Sequence, residues 1–371
     1  MLSKDAPVKI LDFTPVQLAE FVKSLGEPVS QADVILKSIY RECASTFEEM
    51  TGSKHSLKEK LIEHAVLGLP EPVDEKVSAD GQTRKVLFRL EDGKTIESTL
   101  MFSKITRTGR VRHTVCVSSQ VGCAIGCNFC ATGRQGFERN LEPGEIIGQV
   151  LYFTRRFGCG ASGESKKSDR GWLSNVVFMG MGEPLANYDN VRQALAMINS
   201  PKGFGLGLHQ VTLSTSGLAP QMLQLASEGL QFQMAVSLHA ANDELRGRLV
   251  PVNRKYPLGV LIPACREYVA KTGLKIFIEY ALFSGINDSM SDADGLIRLL
   301  NGLSCSVNLI VGNPAGSNEF NPSSMDAAHE FQKRLIAGGV RTMLRVSRGA
   351  DINAGCGQLK SRWVDKAGLF Q

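Results

Sequence analysis

The spacing of apolar residues along the chain changes from a helical period to a strand period after about 70 residues. In residues 1–75 apolar positions recur at helical spacing, as they do from Val34 to Tyr40, and this predicts a small helical module. Capping boxes, which mark helix starts, occur at three places: Thr14 with Gln17, Ser45 with Glu48, and Ser56 with Glu59.

The next part of the chain has the alternation of a two-stranded hairpin. Val86, Phe88 and Leu90 alternate with polar residues and are followed by Asp92-Gly93, a dipeptide that favours a tight hairpin turn. We therefore predict a β-hairpin and linker over residues 76–111.

From residue 112 to residue 350, short apolar runs alternate with amphipathic stretches. Several of the runs are almost continuously apolar, as expected for strands that are buried on both faces. The predicted strands are 114–118, 174–179, 210–215, 232–238, 275–282, 306–311 and 341–346. The predicted helices are 142–157, 190–199, 220–229, 243–249, 257–272, 290–302 and 325–338. Repeated βα units of this kind form a doubly wound sheet or a full or partial (β/α) barrel. Residues 351–371 follow as a C-terminal segment.

Composition narrows the class of protein. The 371 residues are 43% hydrophobic, enough for a sizeable core, and no run approaches the roughly 20 apolar residues of a membrane helix. Without a secretory leader pattern at the N-terminus, we expect a cytoplasmic protein. The net charge of +5 permits a polyanionic partner.

Residues 158–171 lack apolar periodicity, which predicts a surface insertion.

The cysteines carry the strongest chemical signal. There are nine, an odd number, which argues against a structural disulfide framework. Cys123, Cys127 and Cys130 form a C-x3-C-x2-C motif directly after a predicted strand. Three thiolates suit zinc or an iron–sulfur cluster. Structural zinc sites usually have paired C-x2-C units, and no second pair is present. A four-iron cluster held by three cysteines leaves one iron free, to which S-adenosylmethionine (SAM) can bind through its amino and carboxylate groups.

This motif resembles the signature of the radical SAM superfamily. The wider stretch from Cys116 to Gly133 resembles the RlmN-type RNA adenosine-C2 methyltransferases, which are close to the Cfr methyltransferases. Further similar segments follow in order: Gly180–Asn187, Thr212–Gly217, Val236–Ala240, Asn308–Pro314 and Asp351–Leu359. The resemblance implies an α/β fold, a partial (β/α) barrel of the radical SAM type over residues 112–350. It also implies methylation of C2 of an adenosine in 23S rRNA, and of adenosine 37 in tRNA.

The same resemblance implies the cofactors and their ligands. One [4Fe-4S] cluster per chain would be held by Cys123, Cys127 and Cys130. The residues implied to contact SAM lie at or just beyond the ends of predicted strands, where the site of a barrel forms: Gly182, Glu183, Ser214, Ser237, Leu238, His239 and Asn313. His239 alone could equally be a hydrogen-bonded structural histidine.

Two further cysteines and a glutamate are implied to be catalytic. Adenine C2 is a poor nucleophile, whereas a thiolate readily takes a methyl group from SAM. Cys356 matches the methyl-carrying cysteine, whose S-methyl group becomes a radical that adds to C2. Cys116 matches the cysteine that releases the product by forming a disulfide with Cys356. Glu97 matches a proton acceptor, with an exposed hairpin residue as the alternative. The four remaining cysteines match no motif of the family and are expected to be ordinary thiols: Cys43, Cys159, Cys265 and Cys305.

RNA contacts are less visible in the sequence. The helical module is either a packing unit or an RNA-contacting one. Basic residues are frequent after the cysteine motif, and they either contact RNA phosphates or form a solvated surface. They are Arg134, Arg139, Arg155, Arg156, Lys166, Lys167 and Arg170. The expected partners are 23S rRNA, tRNA and a reductant such as flavodoxin or ferredoxin. No association with a membrane is expected. Two alternatives remain open, a Cfr-like methylation of C8 and a zinc-stabilised RNA-binding protein without catalysis.

Overall fold

A computed structural model describes residues 7–104, 109, 111–159, 172–313, 319–345 and 347–359. Within these ranges the helices are α1 (Pro15–Ser24), α2 (Gln31–Tyr40), α3 (His55–His64), α4 (Ala131–Gln135), α5 (Pro143–Phe153), α6 (Tyr188–Asn199), α7 (Ala219–Ser227), α8 (Asp243–Leu249), α9 (Leu258–Thr272), α10 (Met290–Leu300) and α11 (Met325–Ala337). The strands are β1 (Val8–Lys9), β2 (Ala65–Val66), β3 (Glu71–Val77), β4 (Thr83–Arg89), β5 (Thr95–Lys104), β6 (Val111–Cys116), β7 (Gln120–Gly122), β8 (Phe137–Asn140), β9 (Leu173–Phe178), β10 (Val211–Thr215), β11 (Gln233–Ser237), β12 (Ile276–Leu282), β13 (Cys305–Val311) and β14 (Thr342–Arg345).

The N-terminal module is helical, as predicted, but only one of its three capping boxes forms. The Thr14 hydroxyl accepts a hydrogen bond from the Gln17 backbone N–H, and the Gln17 side chain accepts one from the Thr14 backbone N–H. This pair of bonds fixes the start of α1. Ser45 starts no helix, because its N–H and hydroxyl bond to Glu49 instead. Helix α3 begins one residue before Ser56, whose hydroxyl donates to Glu27 rather than capping the helix.

One ten-stranded sheet joins the hairpin to the βα series. Its strand order is β14-β13-β12-β11-β10-β9-β6-β5-β4-β3. The hairpin strands β3, β4 and β5 pair antiparallel, and β5 also pairs antiparallel with β6. From β6 to β14 all pairings are parallel. The seven predicted strands and seven predicted helices of this region are all present, with boundaries within a few residues.

Strand β3 was not predicted, because it has no apolar face. Its sequence, EPVDEKV, is mostly exposed along its length. It lies at the edge of the sheet, where charged residues discourage further strand pairing. Behind the sheet, one continuous apolar core links the N-terminal helices to the helices of the βα series. None of the helices described has the length and apolarity needed to cross a bilayer.

Cys43 and Cys159 form a disulfide across 116 residues of sequence. The expectation of ordinary thiols is therefore wrong for this pair. Tertiary packing brings the two together, since Arg155 donates to the carbonyl of Ala44, the neighbour of Cys43. Cys265 and Cys305 are free thiols, as expected. Of the predicted insertion, residues 160–171 lie outside the described ranges.

Candidate active site

The sheet curves around a cavity of about 990 Å³. Side chains from both the antiparallel and the parallel strands line it, including Thr99 on β5, Thr212 on β10 and Asn308 on β13. Three cysteines from two distant parts of the sequence also line this cavity: Cys116, Cys130 and Cys356. The fold therefore brings together the end of the cysteine motif and both cysteines that were expected to be catalytic.

Cys123, Cys127 and Cys130 lie on one loop between β7 and α4. The loop is fixed by backbone hydrogen bonds, from Cys123 N–H to the Gly136 carbonyl at 2.9 Å and from Cys130 N–H to the Cys127 carbonyl at 3.1 Å. Burial raises the pKa of the Cys123 thiol to about 12, and the pKa of Cys127 is raised by burial and by repulsion from both other thiols. The three sulfurs thus share one partly buried environment.

The three thiols of this loop are a donor set that fits an iron–sulfur cluster. They are half-buried and close enough to raise one another's pKa, and thiolates are the ligands that such clusters use. Among the described residues, no group of three His, Cys, Asp or Glu side chains is already arranged around a single metal ion.

Gly182 and Glu183 follow β9 and lie against the strand that precedes the cysteine loop. Gly182 has a φ of 101°, and a Cβ there would lie 2.6 Å from Cβ of Gln120, so only glycine fits. The buried Glu183 carboxylate accepts from the Ser216 N–H and hydroxyl, both at 2.7 Å. Burial raises its pKa despite these bonds. Its charge also acts on Cys123 and Cys127, which places it beside the cysteine loop.

Ser214 lies in β10, Ser237 ends β11, and Leu238 and His239 follow directly. The two serines are half-buried, whereas Leu238 is fully buried. His239 has a φ of 60°, and its Nδ1 accepts from the Ala281 N–H at 3.0 Å. Burial and the charge of Arg246 lower its pKa to about 3, so the ring is neutral at pH 7. Its edge contacts the Phe129 ring of the cysteine loop at 4.9 Å between centroids.

The segment carrying Cys356 is attached to the site from two sides. The Asn313 amide donates to the Cys356 carbonyl at 3.1 Å. After the cysteine loop, the Ala131 N–H donates to the Gly357 carbonyl at 2.7 Å, and the Thr132 hydroxyl donates to the Leu359 carbonyl at 2.6 Å. Cys356 is therefore held between a predicted SAM contact and the start of α4.

The charge of Cys356 acts on Cys116. Burial, together with this charge, raises the pKa of Cys116 to about 12. Cys356 is accessible to water through the cavity that it lines, yet the surrounding protein raises its pKa to about 11. Both groups are therefore thiols at pH 7, and a reaction through a thiolate requires loss of the proton as the reaction proceeds.

Glu97 is buried, so the alternative of an exposed hairpin residue is wrong. Its carboxylate pairs with Lys85 on the neighbouring strand β4, with Lys85 Nζ 2.7 Å from Glu97 Oε1. Lys85 Nζ also donates to the Asn353 carbonyl at 3.2 Å, three residues before Cys356. One lysine therefore connects Glu97 to the segment that carries Cys356.

Several of the basic residues after the cysteine motif make contacts within the protein. Arg139 bonds to Asp92 and Glu145, Arg155 to Ala44, and Arg156 to Glu75. These contacts favour a structural role for three of the seven residues. Arg134 donates to the Asn128 carbonyl of the cysteine loop. Lys166, Lys167 and Arg170 lie outside the described residues.

Sequence reasoning missed four polar residues around the site. Lys85 had no local signal, because its partners are distant in sequence. Arg246 is fully buried and donates to the Ser216 and Ser237 carbonyls. Glu279 and Asn308 line the cavity from neighbouring strands. For these two a signal exists, since each interrupts an otherwise apolar strand, IFIEYAL and CSVNLIV.

A parallel sheet around a cavity, with a three-cysteine loop whose last cysteine lines that cavity, is the arrangement of a radical SAM enzyme. Residues 164–297 match the radical SAM superfamily. Residues 8–67 match the family described as "Ribosomal RNA large subunit methyltransferase N-terminal domain". A crystal structure of a radical SAM methyltransferase from Sphaerobacter thermophilus is similar, with 43% identity and a TM-score of 0.88, covering 95% of this chain and 99% of that one.

Two curated relatives identify the family within the radical SAM superfamily. The probable dual-specificity RNA methyltransferase RlmN of Dictyoglomus turgidum is 40% identical over 97% of this chain and 98% of that protein. The dual-specificity RNA methyltransferase RlmN of Alcanivorax borkumensis is 42% identical over 97% of this chain and 92% of that protein. The chain belongs to the RlmN family, and it is a SAM-dependent radical RNA methyltransferase.

Proposed function

We propose that this enzyme methylates C2 of adenosine in 23S rRNA and of adenosine 37 in tRNA through an S-methylcysteine on Cys356. The observation that carries the proposal is the placement of Cys356 and Cys116 in one cavity, next to Cys130 of the cysteine loop. The dual specificity named for the relatives supports two RNA substrates.

The proposed cofactor ligands are those that membership of the RlmN family implies. Cys123, Cys127 and Cys130 would hold a [4Fe-4S] cluster, and Gly182, Glu183, Ser214, Ser237, Leu238, His239 and Asn313 would contact SAM. When bound, SAM supplies the methyl group, and the reduced cluster supplies the electron for radical formation, with flavodoxin or ferredoxin as the reductant. Asn313 would then contact both SAM and the loop of the methyl carrier, because its amide already binds the Cys356 carbonyl.

The protein's own residues complete the reaction. Cys356 would carry the methyl group, whose carbon bonds to C2 of the base once the radical derived from SAM has removed one of its hydrogen atoms. Glu97 accepts the C2 proton, and Lys85 balances its charge. The Cys116 thiol then loses its proton and bonds to the Cys356 sulfur, so that a disulfide forms as the carbon–sulfur bond to the product breaks. The released carbon takes up a proton to become the methyl group, and the unpaired electron would return to the cluster.

Replacement of Cys356 tests this proposal. Cys356→Ala should retain iron and sulfide and the visible absorbance of the cluster, but should produce no methylated RNA. Cys305→Ala, at a half-buried thiol outside the cavity lining, is the matched control. Mass spectrometry of the nucleosides separates 2-methyladenosine from 8-methyladenosine. Full turnover by Cys356→Ala, or an 8-methyl product from the wild type, would contradict the proposal.

A further inference from the structure

Two buried polar side chains lie side by side in the wall of the cavity. Glu279 on β12 and Asn308 on β13 are register partners in the parallel sheet. The residue exposures are 8% for Glu279 and 1% for Asn308. Both line the cavity that also contains Cys116 and Cys356. A buried polar pair in a cavity wall is costly unless its hydrogen-bonding groups find partners.

The hydrogen bond between the two residues fixes the orientation of the asparagine amide. Asn308 Nδ2 donates to Glu279 Oε1 at 2.7 Å. A carboxylate oxygen accepts only from the amide nitrogen, so the carbonyl end of the amide must face the other way. Asn308 Oδ1 is buried and has no hydrogen-bond partner among the described residues. The pair therefore leaves one buried acceptor without a partner in the wall of the cavity.

The position of this acceptor indicates which ligand donates to it. The cavity is lined by both catalytic cysteines, which must face the target base. None of the expected SAM contacts Gly182, Glu183, Ser214, Ser237, Leu238, His239 and Asn313 is among its lining residues. The base that is methylated, rather than the adenosine part of SAM, is therefore the nearer source of an N–H donor.

We propose that Asn308 Oδ1, held in place by Glu279, accepts a hydrogen bond from the 6-amino group of the target adenosine. This inference rests on the proposed function and adds a specificity-determining residue to it. Adenine has an N–H donor at position 6, whereas guanine and hypoxanthine have an acceptor oxygen there. An acceptor facing an acceptor leaves both unpaired on binding, so the Asn308 carbonyl would reject those bases.

The test uses the reconstituted holoenzyme and synthetic RNA stem-loops that differ only at the target nucleotide. That nucleotide is adenosine, inosine, or purine riboside, which lacks the 6-amino group but keeps C2–H. Single-turnover rates with saturating SAM should favour adenosine over purine riboside by at least about tenfold in the wild type. Asn308→Ser should reduce this ratio to near one, mainly by slowing the reaction of adenosine. An electronic effect of the amino group on C2 would persist equally in both enzymes.

Two further variants distinguish loss of the hydrogen bond from misfolding. Asn308→Asp keeps an acceptor oxygen and can share a proton with Glu279, so it should preserve more of the preference for adenosine than Asn308→Ser does. Asn301→Ser, at an exposed asparagine after α10, is the matched control and should behave as wild type. Iron content and thermal unfolding confirm that each variant is folded.

The outcomes separate this inference from the proposed function. If the wild type fails to methylate C2 of the adenosine substrate, the proposed function itself fails. If the wild type reacts but Asn308→Ser keeps the same preference, the inference is wrong. An increased KM for SAM or slower methylation of Cys356 in Asn308→Ser, with the base preference unchanged, would assign the acceptor to SAM and also overturn the inference.

Discussion

Lys85 Nζ lies 2.7 Å from Glu97 Oε1, and the two side chains are only 8% and 9% exposed. Removing one partner of a buried ion pair leaves the other charge uncompensated. Lys85→Met should therefore lower the free energy of unfolding by about 3–5 kcal/mol, and the double variant Lys85→Met/Glu97→Gln should recover most of that loss. Chemical denaturation under anaerobic conditions measures both.

The exposed pair of Lys202 and Asp33 provides the control, since these side chains are 53% and 59% exposed. Lys202→Met should cost less than about 1 kcal/mol. An equally small loss in Lys85→Met would show that Lys85 does not compensate the Glu97 charge.

Replacement of the second cysteine of the cavity should stop the reaction at a different stage from replacement of Cys356. If Cys116 releases the product, Cys116→Ala should still join Cys356 to the base, and a covalent protein–RNA adduct should accumulate. Denaturing gels with labelled RNA measure the adduct, and peptide mass spectrometry assigns its attachment to Cys356. Cys265→Ala, at another buried thiol, should form no adduct. Free methylated RNA from Cys116→Ala would exclude this role.

His239 should make the fold sensitive to acid. Its pKa is lowered to about 3 in the folded protein, from an ordinary value near 6.5. Its neutral form therefore contributes stability above pH 6.5, and this contribution is lost as the pH falls from 6.5 towards 3. His239→Gln, which offers another acceptor to the Ala281 N–H, should show a weaker loss of stability over this range. Denaturation curves from pH 7 to pH 4 measure the slope.

The exposed His329→Gln is the control for this slope and should keep the wild-type profile. A parallel pH profile for His239→Gln and the wild type would show that the buried ring does not titrate as described.

Gly355 lies next to the contact between Asn313 and Cys356. A Cβ at this position would lie 2.8 Å from the Asn313 amide nitrogen and 2.7 Å from the Gln358 side-chain oxygen. Both are ends of flexible side chains, so Gly355→Ala should change the free energy of unfolding by less than about 1 kcal/mol. It should nevertheless lower kcat, because Asn313 must move away from the Cys356 carbonyl. Gly259→Ala, where a Cβ meets nothing within 4 Å, should leave kcat unchanged.

Local sequence patterns predicted the parallel part of the fold well, because a strand buried on both faces is a short apolar run. The same rule fails for β3, whose exposed, charged residues become a strand only through pairing with β4. The Ser45 capping signal failed for a related reason. A cap stabilises a helix that packing has already favoured, and at Ser45 the chain turns instead.

The cysteine motif and Cys356 could be found from the sequence because their signals are local and resemble those of a known family. The Lys85 contacts could not be found in this way. Lys85 and Asn353 are 268 residues apart, and only the curvature of the sheet brings them within hydrogen-bonding distance. Similarly, Cys43 and Cys159 have no recognisable spacing, and they meet through packing between the N-terminal module and the end of α5.

The segment from Arg348 to Gly357 leaves β14, one edge strand of the sheet, and contacts the hairpin near the other edge. Arg348 donates to the Phe102 carbonyl, Asp351 accepts from the Ala79 N–H, and Asn353 accepts from Lys85. Cys356, the residue proposed to carry the methyl group, thus lies on the segment that connects the two sides of the sheet. A displacement of this segment would also shift Cys356, so the position of the methyl carrier depends on the contacts that Arg348, Asp351 and Asn353 make with the hairpin.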